Sequence, residues 1–220
     1  RIRSNPADRV ERPRKEKFKS EVYKAEELEQ LFTAIQGDPA EFGVIMAAFY
    51  GLRRSEIVGL KWDAIDFENK TITIQHTRIY GDSDETDAVI ERDILKRKSS
   101  YRTLPIPETV WTLLHNLKMV RYGENPAPND ACVCLNREGK PVAPNYFTQC
   151  FKQFLRDNDL REIRLHDLRH TCASVLIQNR VPLIEVQQWL GHSTLETTAD
   201  LYAHLEYETK LASAETLKKI

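Results

Sequence analysis

Apolar residues along this chain recur mostly at helical spacing, with one central region where the period drops to that of strands. From about Lys24, the residues Leu28, Leu31, Phe32 and Ile35 share one face of a helix that Gly37 and Pro39 end. Ala40–Tyr50 is almost wholly apolar, which predicts a second helix deep in the core. Gly51 breaks it, Ser55 offers a cap for the next helix, and Ile57, Val58 and Leu60 supply that helix's apolar side. Thr71–Tyr80 is then rich in β-branched residues, and Val89–Leu95 and Arg102–Ile106 read as two further strands around the turn Lys-Ser-Ser-Tyr. Together they predict one small three-stranded antiparallel β-sheet. Helical spacing resumes over Pro107–Tyr122 through Val110, Leu113, Leu114 and Leu117. Residues 123–130 form a loop, and Ala131–Leu135 reads as a short strand. Phe147, Phe151, Phe154 and Leu155 define a helix over Asn145–Asn158, with its aromatics in the core. Leu168, Cys172, Val175 and Leu176 predict the buried face of another helix. Pro182 opens the next and Gly191 ends it; Thr194–Leu205 and a tail over 206–220 complete the chain. The expected class is α+β and mainly α-helical.

Composition narrows this further. With 220 residues, 41% apolar and 30% charged, the chain suits a soluble globular fold of one large domain or two small ones. No apolar run approaches the roughly 18 residues of a membrane span, and no signal peptide opens it, so a cytoplasmic protein is expected. Arg1 in place of Met implies a cut within a longer polypeptide. Cys132, Cys134, Cys150 and Cys172 lack the paired spacing of a zinc site and read as free thiols of a reducing compartment.

The net charge of −1 conceals local imbalance. Residues 1–19 carry eight Lys or Arg against three Asp or Glu, residues 96–102 carry four basic groups and no acid, and 81–87 carry four acids and no base. A basic face opposite an acidic one is expected, with residues 1–20 as an extended basic linker ahead of a domain over 21–205.

Candidate chemistry begins with His166 and Arg169. One turn apart at a helix start, where backbone N–H groups are unpaired and the dipole is positive, they suit a phosphate. Arg53 falls at a turn between two buried helices, a costly place for a charge without a partner. Glu56 is the nearest candidate. Lys96 and Lys98 are two apart and share a strand face, and alternation does not choose between them.

The order of these parts resembles the tyrosine recombinases, the phage and transposon integrases. Box II of that family is matched by His166-x-x-Arg169-His170, then Leu190-Gly191-His192-Ser193, then Tyr202-Ala203-His204-Leu205. Box I is matched by Tyr50-Gly51-Leu52-Arg53-Arg54-Ser55-Glu56-Ile57. The match runs from about residue 20 to about 205, and LKRKSSYRTLPIP and HSTLETTADLYAHL look most like integrases of conjugative transposons and phages.

The resemblance implies the DNA breaking–rejoining catalytic fold and cleavage of DNA through a 3′-phosphotyrosine, with Tyr202 as nucleophile. Arg53 and Arg169 would grip the phosphate, His166 would act as base and His192 as phosphate donor. Lys96 would be the general acid, and Glu56 would support Arg53. It implies no cofactor, metal or ATP; double-stranded recombination sites as partner, with no membrane; and assembly into a dimer or tetramer on DNA. A chromosome-dimer-resolving recombinase and a catalytically silent DNA-binding relative are the alternatives. The tail helix, with its narrow stripe of Leu211, Ala214 and Leu217, is marginal alone and is expected to dock on a neighbouring copy. Whether Tyr202 acts in cis or in trans stays open.

Overall fold

The computed structural model describes residues 21–80, 89–93, 100–195 and 198–199. Helices α1 (Ala25–Ala34), α2 (Glu41–Phe49) and α3 (Arg54–Gly59) come first. A 3-10 turn at Trp62–Ala64 leads into strands β1 (Ile65–Asp66), β2 (Thr71–Ile74) and β3 (His76–Tyr80), then β4 (Val89–Asp93) and β5 (Arg102–Pro105). Four helices follow: α4 (Glu108–Tyr122), α5 (Pro144–Asp157), α6 (Leu165–Gln178) and α7 (Leu183–Leu190). Among the described residues no helix is long and apolar enough to cross a membrane.

The expected mainly helical α+β architecture is present, but its strands are shared differently. The β-branched run from Thr71 to Tyr80 breaks at Gln75 and serves two sheets. β2 pairs antiparallel with β1 and β5, with Ile72 opposite Leu104 and Ile74 opposite Arg102. β3 pairs only with β4, from His76 opposite Asp93 to Tyr80 opposite Val89. β5 is four residues long and is used up by β2, so β3 takes its partner from the other side of the hairpin. Gly59 assists: a methyl there would stand 2.7 Å from the Thr77 backbone, so only glycine lets α3 press onto β3. Ala131–Leu135 forms no ladder; only isolated bridges from Cys132 to Lys61 and from Leu135 to Pro141 occur.

The core joins α1, α2, α3, α4, α5 and α6 with one face of the β2–β5 sheet. Leu31, Ile35, Ile57, Leu114, Leu155 and Leu168 are wholly buried, each contributing roughly 1.5–3 kcal/mol of transfer free energy. Phe147, Phe151, Phe154 and Leu155 are core, as their spacing predicts. On α6 the buried face is wider and rotated from the expected one: Val175 is exposed, while Asp167, Arg169, Thr171 and Ser174 are buried. Polar groups lie inward there because α6 faces the site and the incoming chain. Thr171 Oγ1, for example, accepts the Tyr23 N–H at 3.0 Å.

Helix starts follow a rule the serine reading of α3 missed. Ser55 lies inside α3, and the residue at the cap is Arg53, whose N–H donates to Glu56 Oε2 at 3.0 Å. α1 and α6 do the same, Lys24 N–H donating to Glu27 at 2.7 Å and Arg164 N–H to Asp167 at 3.1 Å. An acid three residues into each helix satisfies one orphan donor and complements the positive helix end.

Candidate active site

The two motifs meet by exchanging backbone contacts. Arg53 Nη2, at the cap of α3, donates to the Gly191 carbonyl at 2.8 Å. Arg169 Nη1, on α6, donates to the Gly51 carbonyl. Each arginine is therefore held by a glycine of the other motif. Both glycines have positive φ, 61° for Gly51 and 68° for Gly191, which turns their carbonyls to these positions. At Gly51 a methyl would also stand 2.4 Å from Leu190 Cδ2. Gly51→Ala is thus expected to lose stability by at least the ~1–2 kcal/mol of a left-handed non-glycine residue, and more from the clash. Chemical denaturation checks this; an unchanged midpoint would show that α7 can move away freely.

Glu56 lies beneath the arginines, 1% exposed. Arg53 Nη1 reaches its Oε1 at 2.8 Å, and Arg102 Nη2 reaches its Oε2 at 3.0 Å. Burial alone would raise its pKa; the charge and hydrogen bond of Arg102, then Arg53, outweigh this and hold the carboxyl below the usual carboxylate range. Three guanidiniums, Arg53, Arg102 and Arg169, thus surround one carboxylate. Arg169 is 2% exposed, and its Nη2 is buried with no hydrogen-bond acceptor among the described residues. Burial and the neighbouring Arg53 push its pKa down to about 9, so it stays charged at neutral pH and gains from any anion set against it.

Three histidines complete the cluster. His166 stands exposed at the rim, yet desolvation by the surrounding protein, then His170 and Arg169, push it down to about 4. Its ring meets His170 edge-on at 5.0 Å. His192 follows Gly191, with Nδ1 2.9 Å from the buried Thr198 Oγ1; burial, then Arg169 and Arg53, push it to about 3. Both rings are neutral at pH 7.

These shifts predict a pH dependence with a fixed sign. The folded-state values lie below the unfolded value of about 6.5, so the unfolded chain takes up protons first as the medium is acidified. The contribution of His166 and His192 is fully present above about pH 6.5. It is lost progressively on acidification, His166 levelling near 4 and His192 near 3. Thermal melting from pH 7.5 down to 5 should fall, and His192→Asn should flatten the slope; an identical slope in that variant would contradict the assignment.

A cleft of about 540 Å³ opens beside the cluster, lined by Arg53, Arg54, Arg78, Tyr80, Arg164 and His166 and, among the described residues, by no acid. Arg54 is braced across its mouth by Asn145 Oδ1 at 3.0 Å and Thr148 Oγ1 at 3.2 Å. A second cleft of about 440 Å³, lined by Cys134, Tyr146 and Cys150 among others, contains none of these groups.

Of the residues singled out in the sequence, Arg53, Glu56, His166, Arg169 and His192 come together. Lys96, Lys98 and Tyr202 lie outside the described residues, as do the linker 1–20 and the tail 206–220. Arg102 was missed. Its signal was alternation: in Arg102-Thr-Leu104 the arginine shares the inward side with leucine. Among the described residues no group of three or more His, Cys, Asp or Glu side chains is set to hold a metal ion, and the cysteines are free thiols.

The helical domain thus interlocks two arginine-bearing turns, distant in sequence, around a buried glutamate. Residues 21–209 match the phage integrase family, and the chain belongs to it. It is 30% identical over 220 residues to the XerC-like tyrosine recombinase of Caldanaerobacter subterraneus subsp. tengcongensis, covering 93% of this chain and 56% of that protein. It is 28% identical over 210 residues to the ICEBs1 integrase of Bacillus subtilis, again covering 93% and 56%. The chain therefore spans a little over half the length of these relatives. Its fold is that of the Tn1549 transposon integrase solved with transposon right end DNA, with a TM-score of 0.74 at 24% identity, over 99% of this chain and 73% of that one.

Proposed function

We propose that this chain is the catalytic part of a site-specific DNA recombinase, an integrase of a mobile element, that cuts and rejoins strands through a 3′-phosphotyrosine on Tyr202. The observation that carries the reading is the buried Nη2 of Arg169 beside Arg53, without an acceptor among the described residues. A buried donor without a partner costs on the order of 1–3 kcal/mol, more when charged, and a phosphodiester oxygen placed there would relieve it.

Attack by the Tyr202 phenol oxygen on the phosphorus would place added charge on the non-bridging oxygens, which two fixed guanidiniums stabilise. With Nδ1 accepting from the Thr198 hydroxyl, neutral His192 would carry its proton on Nε2 and donate it to the phosphate. His166 would take the phenol proton. It is a weak base in the free protein, but a bound phosphate raises its proton affinity, so the base would form when DNA arrives. Lys96 would protonate the departing 5′ oxygen, with Lys98 the other candidate. The phosphotyrosine keeps the energy of the broken ester for rejoining.

Double-stranded recombination sites are the proposed partner, bound by a dimer or tetramer with the domain over 21–205 at its centre. The residue 206–220 helix would dock on a neighbouring protomer. Incubation with a nicked suicide duplex tests the reading: an adduct that survives a denaturing gel is expected, and its absence with sites from the parent element would overturn it.

A further inference from the structure

Arg102 is a buried cation with no part in the chemistry above. It stands on β5 opposite Ile74, 8% exposed, where its inward neighbour on the strand is Leu104. Three separate parts of the chain hold it. Its Nη2 donates to Glu56 Oε2 at 3.0 Å and its Nη1 to Glu56 Oε1 at 3.5 Å. Its Nε donates to the Trp189 carbonyl at 2.8 Å, and its Nη1 also donates to the Ser100 carbonyl at 3.0 Å.

Each contact leads to a group that cleavage needs. Glu56 is the carboxylate that holds Arg53. Trp189 lies on α7 two residues before Gly191, whose carbonyl takes the other arm of Arg53, and three before His192. Ser100 follows, in the chain, the segment carrying Lys96 and Lys98. We propose that Arg102 is a positioning residue for strand cleavage, a planar fork that fixes Glu56, the end of α7 and the chain after the lysine segment in one register, so that Arg53 meets the phosphate already aligned. This rests on the proposed function.

Charge and geometry both require an arginine here. With an apolar residue at 102, Glu56 would keep only Arg53 as a direct partner. Arg53 is the most open of the three guanidiniums, with 35% of its side chain exposed, and it would have to serve the carboxylate and the phosphate together. The groups facing Glu56 are Arg53 from the start of α3, Arg102 from β5 and Arg169 from α6. Arg102 is the strongest of the charges keeping the buried carboxyl ionised. A lysine would keep that charge but lose the planar fork that binds a carboxylate and two carbonyls at once.

The test measures single-turnover adduct formation on the suicide duplex in the whole chain, at a temperature where circular dichroism shows every variant folded. Arg102→Met is expected to slow the adduct by about 10² or more, the scale of a misplaced catalytic group. It should also add an acidic limb to the pH–rate profile, as Glu56 takes up a proton. Arg102→Lys, the variant to rely on if the methionine does not fold, should slow the adduct by on the order of 10-fold without that limb. Duplex binding at fixed salt should be unchanged in both.

A folded Arg102→Lys that cleaves at the full rate would overturn the proposal, because a residue that only holds the fold together predicts equal rates once folding is complete. A folded Arg102→Met with an unaltered pH profile would overturn it too. If the unsubstituted chain itself gives no adduct, the proposed function has failed. An adduct that persists undiminished in the variants removes Arg102 alone.

Discussion

Tyr202→Phe is expected to abolish the covalent protein–DNA adduct outright while leaving duplex binding within about twofold, since binding is spread over many phosphate contacts. The change removes one oxygen and keeps the ring, so the shape of the side chain is nearly unchanged. The phenol is a weak nucleophile, with about one molecule in a thousand ionised near neutral pH at a pKa of ~10, and depends on groups that take its proton and stabilise the charge that develops. In the proposed mechanism that task falls to Arg53, Arg169 and His166, which come together among the described residues. Denaturing gels of the suicide-substrate reaction check the effect. A persistent adduct in the Phe variant would point to another nucleophile, with Tyr207 nearest in the chain.

Most of the helical framework was legible because burial on a helix imposes its period on the sequence. α2, α5 and α7 begin and end within a residue or two of where Gly, Pro and apolar spacing put them. The sheet was less legible. β-branched residues mark a segment as extended but carry no label for its partner, and the division at Gln75 depends on the length of β5 and the close approach of α3 at Gly59. Val175 was misread because polar residues share the buried side of α6. A rule that counts only apolar positions rotates such a face toward the wrong residues.

In the site the split is similar. Arg53, Glu56, Arg169 and His192 were visible as side chains in motifs. The carbonyls of Gly51 and Gly191 that hold the two arginines were not, because a backbone acceptor has no signature beyond the glycine that lets it turn. Arg102 looked like one more charge in the basic run 96–102. The alternation with Leu104 was its one sequence signal, and its register opposite Ile74 bears out that it points inward.

Arg169→Lys is the second large effect expected, a fall in cleavage of roughly 10²–10³, the range seen when a transition-state hydrogen-bond donor is removed. Arg169 spends Nη1 on the Gly51 carbonyl and keeps Nη2 buried and unpaired among the described residues, so one planar group spans a backbone anchor and the proposed phosphate position. A lysine has one nitrogen for both places. Wherever it settles, it leaves either the Gly51 carbonyl or the phosphate oxygen without its donor, although the net charge is the same. Arg53→Lys meets the same limit with more company, because Arg53 divides its two arms between Glu56 and Gly191. Binding to a long duplex should change little in either case, which separates loss of alignment from loss of charge. The measurement is the single-turnover adduct rate beside a filter-binding isotherm at fixed salt. Near-normal cleavage by Arg53→Lys would reduce its pair with Glu56 to a structural tie, while near-normal cleavage by Arg169→Lys would remove the phosphate from the place proposed for it beside Arg169 Nη2.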